Sequence, residues 1–418
     1  MTTAPSYESD FHGGLAERGA RRVMASYGPR QRSFVRGQGT ALFDGEGRPH
    51  LDFLSGLGVT SLGHAHPAVT AAVSEQAATL VHTSNLHWTE PAVALAEDLA
   101  EICGWPDART FFAQCGGTAN EAAIKLARRH GKKQHPDKVR VLTLSGSFHG
   151  RTLATLEATG QPEKHGPFEP LAGFVDTAPW DDPAALVDAV GPTTCAVLLE
   201  VVQGEGGVRP LSDEMLLAAR EACDTHGALL IIDEVQTGIG RMGTWFAYQG
   251  SPVVPDVITV AKALANGLPI GACIARGAAA AAFVPGDHAT TFGGNPVTAA
   301  AARAVIATMT NNDVLANVRD RSAQIVDGIA AMVGSGATGV RGRGLLLAIT
   351  LDRPVAKAIE EACRDRFVLV NAVAHDAIRI APPLNVSAEE VELALAVLAD
   401  ALHQVAGGAT DITDGVGS

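Results

Sequence analysis

The sequence is poor in the patterns that build disulfide or zinc scaffolds. Its six cysteines (Cys103, Cys115, Cys195, Cys223, Cys273 and Cys363) lie far apart, with no C-x-x-C pair. That excludes a zinc ribbon and a disulfide framework, and it fits a reducing cytoplasm. Gly63-His-Ala-His66 has two histidines but no third ligand at useful spacing, so no metal is expected. No apolar run approaches the ~20 residues that span a bilayer. The first residues, MTTAPSYESDFHGG, lack the charged-then-apolar pattern of a secretory leader. The expectation is a cytoplasmic chain with no membrane partner. Basic residues are also in deficit: 32 Lys and Arg stand against 45 Asp and Glu, a formal charge of −13. That sign opposes a phosphate-binding surface and argues against nucleic acid as a partner.

Apolar material is plentiful. Of 418 residues, 46% are hydrophobic and 18% charged, enough for a packed chain of two or three units. Helical patterning falls on 71–80, 92–102, 119–129, 212–226, 297–308, 316–333 and 388–405. Short β-branched runs fall between them, at 139–144, 196–200, 228–233 and 257–260. Such runs, alternating with helices, predict an α/β fold with a mainly parallel central sheet buried on both faces. Each run ends in polar residues: Ser147-Phe148-His149, Glu200, Asp233 and Lys262. Ligands of open α/β sheets bind at that edge. A later strand group at 344–351, 368–373 and 377–380 predicts a smaller C-terminal α+β domain. Residues 35–53, with the turn Asp44-Gly45-Glu46-Gly47, predict a hairpin. The expected division is 1–60 joining the small domain, 61–309 as the large domain, 310–407 as the small domain, and 408–418 as a disordered tail.

The chemistry starts at Lys262, one of only seven lysines, in the setting Val257-Ile-Thr-Val-Ala-Lys262-Ala-Leu-Ala. Apolar surroundings disfavour the ammonium form and suit a Schiff-base nucleophile. Alone, this lysine also reads as one that snorkels from a strand end. Asp233 changes the balance. Leu229-Leu-Ile-Ile-Asp233 puts a carboxylate at the tip of a buried strand, where it needs a cationic partner. Pyridoxal 5'-phosphate uses such a pair, a lysine for its aldehyde and an acid for its pyridine nitrogen. Cys115-Gly116-Gly117-Thr118 before a helix offers N–H donors to a phosphate, and Phe148 offers a ring for stacking. Each of those two signals, taken singly, also reads as an ordinary loop or core residue.

Leu229–Gly243 (LLIIDEVQTGIGRMG) followed by Asp256–Gly271 (DVITVAKALANGLPIG) resembles the class III aminotransferases. These are pyridoxal-phosphate enzymes of fold type I, aspartate-aminotransferase-like. Further segments that carry the likeness are Asp52–Pro67, His82–Leu86, Asn120–Arg128, Phe148–Thr152, Gln203–Gly207, Thr291–Pro296 and Arg379–Leu384. Val340–Leu347 and Val370–Asn371 look most like the acetylornithine aminotransferases within that class.

The resemblance implies a role for each matching residue. Lys262 would be the Schiff-base lysine and Asp233 the pyridinium partner. Gln236 would lie near the 3′-oxygen, Val235 and Phe148 would pack on opposite ring faces, and Cys115, Gly116 and Gly117 would face the phosphate. Thr291 would reach the phosphate of a neighbouring subunit, which implies a homodimer with shared active sites. Arg379 would bind the α-carboxylate of glutamate or 2-oxoglutarate, with Glu205 as its alternative ion-pair partner. Arg151 and Tyr27 would hold the carboxylate end of the donor. Leu57 stands where ornithine-specific relatives place a tyrosine, and a leucine offers a free α-amino group no hydrogen bond.

The family's usual Asn-Ser-Gly-x-Glu is here Gln114-Cys115-Gly116-Gly117-Thr118, which replaces a phosphate-side hydroxyl with a thiol. The implied reaction moves the terminal amino group of N2-acetyl-L-ornithine to 2-oxoglutarate. The alternatives are a class III enzyme acting on ornithine, 4-aminobutyrate or a diamine, an aminomutase, and a non-catalytic protein of the same fold.

Overall fold

A computed structural model describes residues 11–30 and 32–407, so the tail expected after Gly407 lies outside the described residues. Seven strands form the central sheet: β1 (Arg109–Ala113), β2 (Arg140–Leu144), β3 (Val175–Ala178), β4 (Thr194–Leu199), β5 (Leu229–Asp233), β6 (Val257–Val260) and β7 (Gly271–Ala275). Their spatial order is β1-β7-β6-β5-β4-β2-β3. Neighbours run parallel except at β7, which is antiparallel to both β6 and β1. The mainly parallel sheet expected from the β-branched runs is found.

Burial explains the unbroken apolar runs. In β5, Leu230 and Ile232 enter one hydrophobic core while Leu229 and Ile231 enter another. Successive side chains of a strand point to opposite faces, so a strand covered on both sides has no polar position to spare. The helix Gly116–Gln134 buries Ala122, Ala123, Ile124 and Ala127 on one side of the sheet. Pro296–Asn311 and Asp213–His226 pack into the core on the other side. Asp213–His226 starts at Ser212, whose hydroxyl accepts from Met215 N at 3.1 Å.

Two four-stranded sheets and a two-stranded ribbon, Val202–Gln203 with Arg209–Pro210, lie beyond. Ala337–Arg343, Leu346–Leu351, Ala377–Ile380 and Asn371–Ala374 form an antiparallel sheet in that spatial order. Phe34–Gln38, Ala41–Asp44 and Pro49–Asp52 form a second, so the expected N-terminal hairpin gains a third strand. The run 368–373, expected as one strand, is divided. Val368–Leu369 pairs in parallel with Pro49–Asp52, while Asn371–Ala374 joins the C-terminal sheet. An apolar run specifies a strand but not its partner, and Val370 is the buried hinge between the two pairings. Among the described residues, no helix is long and apolar enough to cross a membrane.

Candidate active site

The C-terminal ends of β2, β4, β5 and β6 open on one cavity of about 330 Å³. Phe148 and His149 follow β2, Glu200 follows β4, Asp233 ends β5 and Lys262 follows β6. All five line the cavity. The parallel sheet is what brings them together, because strands running in one direction end at one edge.

Asp233 is almost fully buried and well satisfied. Its Oδ2 lies 2.8 Å from His149 Nδ1 and accepts from Asn120 Nδ2 at 2.7 Å. Its Oδ1 accepts from Val235 N at 2.9 Å. Asn120 is held in turn by Thr259 of β6, whose hydroxyl donates to Asn120 Oδ1 at 2.6 Å. Three elements therefore aim one carboxylate into the cavity. His149 Nε2 is buried and, among the described residues, has no hydrogen-bond partner.

Lys262 is half-buried, and its backbone sits in the left-handed region at φ +41, which costs a non-glycine residue about 1 kcal/mol. Burial pushes its ammonium down, and the Arg379 charge adds to that push. The carboxylates of Glu205, Asp233 and Glu200 oppose it. An amine so placed holds its proton weakly, which suits a nucleophile and proton carrier.

The turn Cys115-Gly116-Gly117 opens the helix Gly116–Gln134 against the cavity. A Cβ on Gly116 would stand 2.7 Å from Val235 Cγ1, so only glycine admits this approach. A Cβ on Gly117 would meet nothing closer than 3.9 Å, which leaves that wall open to a ligand. Thr118 Oγ1 accepts from the N–H groups of both Gln114 and Cys115 at 3.1 Å and caps the turn. Phe148 and Val235 both line the same space, and Arg151 lies 5.4 Å over the Phe148 ring.

At the far side, Arg379 arrives from the C-terminal sheet. It is almost fully buried, and its Nη1 donates to Glu205 Oε1 at 2.6 Å and to Gly204 O at 3.2 Å. Its Nη2 donates to Asn371 Oδ1 at 2.8 Å. Burial opposes ionisation of Glu205, but the Arg379 guanidinium outweighs it and holds the carboxyl below its usual range. Gln236 Nε2 reaches the same Glu205 oxygen at 3.5 Å.

Not every expected residue lines this cavity. Tyr27 is exposed and stacks with Arg30, and Leu57 is exposed, with φ +71. Arg151 does not line the cavity either, and its guanidinium lies over the Phe148 ring. Thr291 lies in an adjacent hollow whose wall includes Gln114 and Thr118, and the Gln114 amide donates to the hydroxyl of Thr290 next to it. His149 and Glu200 were read at the ligand-binding edge without a role, and Asn120 was not among the expected site residues. Their signal was a polar side chain at or near the end of a strand or the start of a helix, which says nothing of which carboxylate or backbone it meets. Glu200 accepts from Phe148 N at 3.1 Å and Gly204 N at 3.4 Å, and burial together with the Asp233 charge pushes its carboxyl up.

Residues 24–402 match the family described as Aminotransferase class-III. The chain belongs to that family. Curated members of it are close in sequence to this class III aminotransferase. The acetylornithine aminotransferase of Mycolicibacterium smegmatis is 47% identical over 384 residues, covering 92% of this chain and 97% of that protein. That of Streptomyces coelicolor is 45% identical over 393 residues, with 94% and 96% covered. Among solved structures, the N-acetylornithine aminotransferase of Stenotrophomonas maltophilia superposes with a TM-score of 0.82 at 34% identity, covering 94% of this chain and 100% of that one. The ornithine aminotransferase of Toxoplasma gondii gives 0.90 at 28% identity, with 95% and 96% covered.

Proposed function

We propose that this class III aminotransferase moves the terminal amino group of N2-acetyl-L-ornithine to 2-oxoglutarate. The products are N-acetyl-L-glutamate 5-semialdehyde and L-glutamate, a step of arginine biosynthesis, and the cofactor is pyridoxal 5'-phosphate. The observation that carries the reading is that Lys262, Asp233 and Glu205 line one cavity, with Arg379 bonded to Glu205 from behind. The names of the relatives support the donor.

The donor set fits the cofactor. A buried carboxylate faces a cavity that holds a weakly protonated lysine, and the bare Gly117 wall lies at a helix N-terminus suited to a phosphate. Asp233 would hold the ring nitrogen, Cys115, Gly116 and Gly117 the phosphate side, Gln236 the 3′-oxygen, and Phe148 and Val235 the ring faces. When bound, this cofactor supplies an electron sink that stabilises the charge left by proton removal beside the amine.

The chain's own residues do the rest. Lys262 Nζ takes a proton from the substrate carbon and later delivers it, as general base and then general acid. His149 and Asn120 hold the Asp233 carboxylate in place, where it would meet the ring nitrogen. Arg379 is always charged, so an uncharged ω-end needs Glu205 to neutralise it. A 2-oxo acid carboxylate needs Glu205 to leave. Arg151 and Tyr27 would hold the donor's carboxylate once the site is complete.

Around Thr291, Trp88 is 93% exposed, Leu86 85% and Phe292 62%, more bare apolar surface than a solitary chain carries without use. That supports a cytoplasmic homodimer in which Thr291 completes the phosphate site of the other subunit. The division at 61–309 and 310–407 into large and small domains belongs to the same reading.

The test is an amino-donor panel with 2-oxoglutarate. Acetylornithine should exceed ornithine by at least roughly tenfold in kcat/KM, because Leu57, if the completed site brings it to the donor, would give a free α-ammonium no partner. Equal use of ornithine or 4-aminobutyrate would sink the donor assignment.

A further inference from the structure

Arg379 is not alone on its sheet face. In the antiparallel C-terminal sheet Arg341 pairs with Ala348, and Ala348 pairs with Arg379. Directly paired residues share a face, so Arg341 and Arg379 point the same way across a single methyl group, two strand spacings or about 10 Å apart. The loop after Gln203 lies over that row, strung between the two arginines. Arg379 Nη1 donates to Gly204 O and to the Glu205 carboxylate at one end, and Arg341 Nε donates to Gly207 O at 2.6 Å at the other.

The Arg341 end carries charge with nothing to balance it. A Cβ on Gly207 would sit 2.7 Å from Arg341 Nη2, and one on Gly206 3.2 Å from Arg209 Nη2, so both guanidinium groups crowd the two glycines after Glu205. Among the described residues neither arginine has a carboxylate partner. Arg209 donates to Gln203 Oε1 at 3.1 Å and lies 4.8 Å over Trp180. Burial and the Arg341 charge together push the Arg209 guanidinium down. Two half-buried cations without an anion are unfavourable, and Glu205, now held by Arg379, stands two residues before Gly207, whose carbonyl Arg341 holds.

We propose that Arg341 is the second partner of Glu205, receiving its carboxylate when a substrate carboxylate takes Arg379. This deepens the proposed function and rests on the Arg379–Glu205 switch. Arg341 is then a positioning residue for the dicarboxylate half-reaction. Glu205 leaves Arg379 by a change of side-chain rotamer, passes over Ala348 and meets a waiting cation, so two carboxylates need not share one guanidinium. The acetylornithine half-reaction, in which Glu205 stays on Arg379, does not call on Arg341.

The experiment measures single-turnover rates of the two half-reactions and binding of glutarate, a non-reacting dicarboxylate, by calorimetry. Arg341→Gln should weaken glutarate and slow the 2-oxoglutarate half-reaction by about tenfold, leaving the acetylornithine half-reaction within about twofold of wild type. Arg341→Lys keeps the charge and should recover most of the loss. With Glu205→Ala in place, Arg341→Gln should have no further effect on glutarate. Equal losses in both half-reactions, or an undiminished Arg341→Gln effect without Glu205, would overturn the proposal. If Arg379→Ala itself treats both half-reactions alike, the switch fails and the proposal falls with it, whatever Arg341 does.

Discussion

His149 Nδ1 lies 2.8 Å from Asp233 Oδ2, and Asn120 shares that oxygen. The carboxylate is held by two side chains from outside its own strand, which fixes its direction. Asn120→Ala removes one of these contacts from a buried anion, a loss of about 1–3 kcal/mol. Cofactor affinity, read by equilibrium dialysis, should fall while the far-ultraviolet circular dichroism stays unchanged. Unaltered affinity would mean that Asp233 is not the group that meets the cofactor.

Lys262 is the proposed attachment point. Borohydride reduction of the holoenzyme followed by peptide mapping should place the label on Lys262. Lys262→Ala should keep the cofactor non-covalently and lose nearly all turnover. A label on any other lysine defeats the assignment.

The carboxylate switch gives an asymmetric variant. Arg379→Ala should damage the 2-oxoglutarate half-reaction far more than the acetylornithine half-reaction, since a buried charged contact is worth about 2–5 kcal/mol. Separate single-turnover measurements distinguish this from a general loss.

Gly116 admits Val235 to the ring site. A Cβ there would stand 2.7 Å from Val235 Cγ1 and 3.0 Å from Cγ2. Gly116→Ala should push Val235 into the cavity and weaken cofactor binding by roughly tenfold, about 1.4 kcal/mol. The thermal midpoint of the cofactor-free protein should move much less than that of the holoenzyme.

Glu234 sets a pH dependence of stability. Burial pushes its carboxyl up from 4.5 to about 7, although the Thr237 hydroxyl and the Tyr248 N–H favour the ionised form. The folded chain keeps a proton there that the unfolded chain releases, so folded stability declines as pH rises from about 4.5 to 7 and then levels. Glu234→Gln should flatten that part of the profile by a few kcal/mol. Thermal midpoints of both proteins between pH 5 and pH 8 provide the check, and parallel profiles would rule it out.

Strands β4, β5 and β6 were legible because burial on both faces writes them as unbroken apolar runs. β1, β3 and β7 were not read as strands. Arg109-Thr-Phe-Phe-Ala113 is short and only partly buried, and Gly271-Ala-Cys-Ile-Ala275 is built mostly of small residues without a β signature. Gly271 is small for a reason the sequence does not display: a Cβ there would stand 2.5 Å from Cys115 O. Lys262 and Asp233 stood out because a polar residue at the tip of an apolar strand demands a partner. Glu205 and Arg379, 174 positions apart, were joined only through the family resemblance.

The sequence by itself determined the local matters: that the longest apolar runs form the inner strands of a mostly parallel sheet, where most of the helices fall, and that an amine and an acid stand at the ends of two of those runs. Those follow from periodicity and from the cost of burying charge, both readable residue by residue. Tertiary structure alone decided which residues meet across the chain. It divided 368–373 between two sheets, set Asn120 and His149 on Asp233, and aligned Arg341 with Arg379 across Ala348. Register and strand partner depend on the packing of distant segments, and a local apolar pattern is compatible with several such pairings.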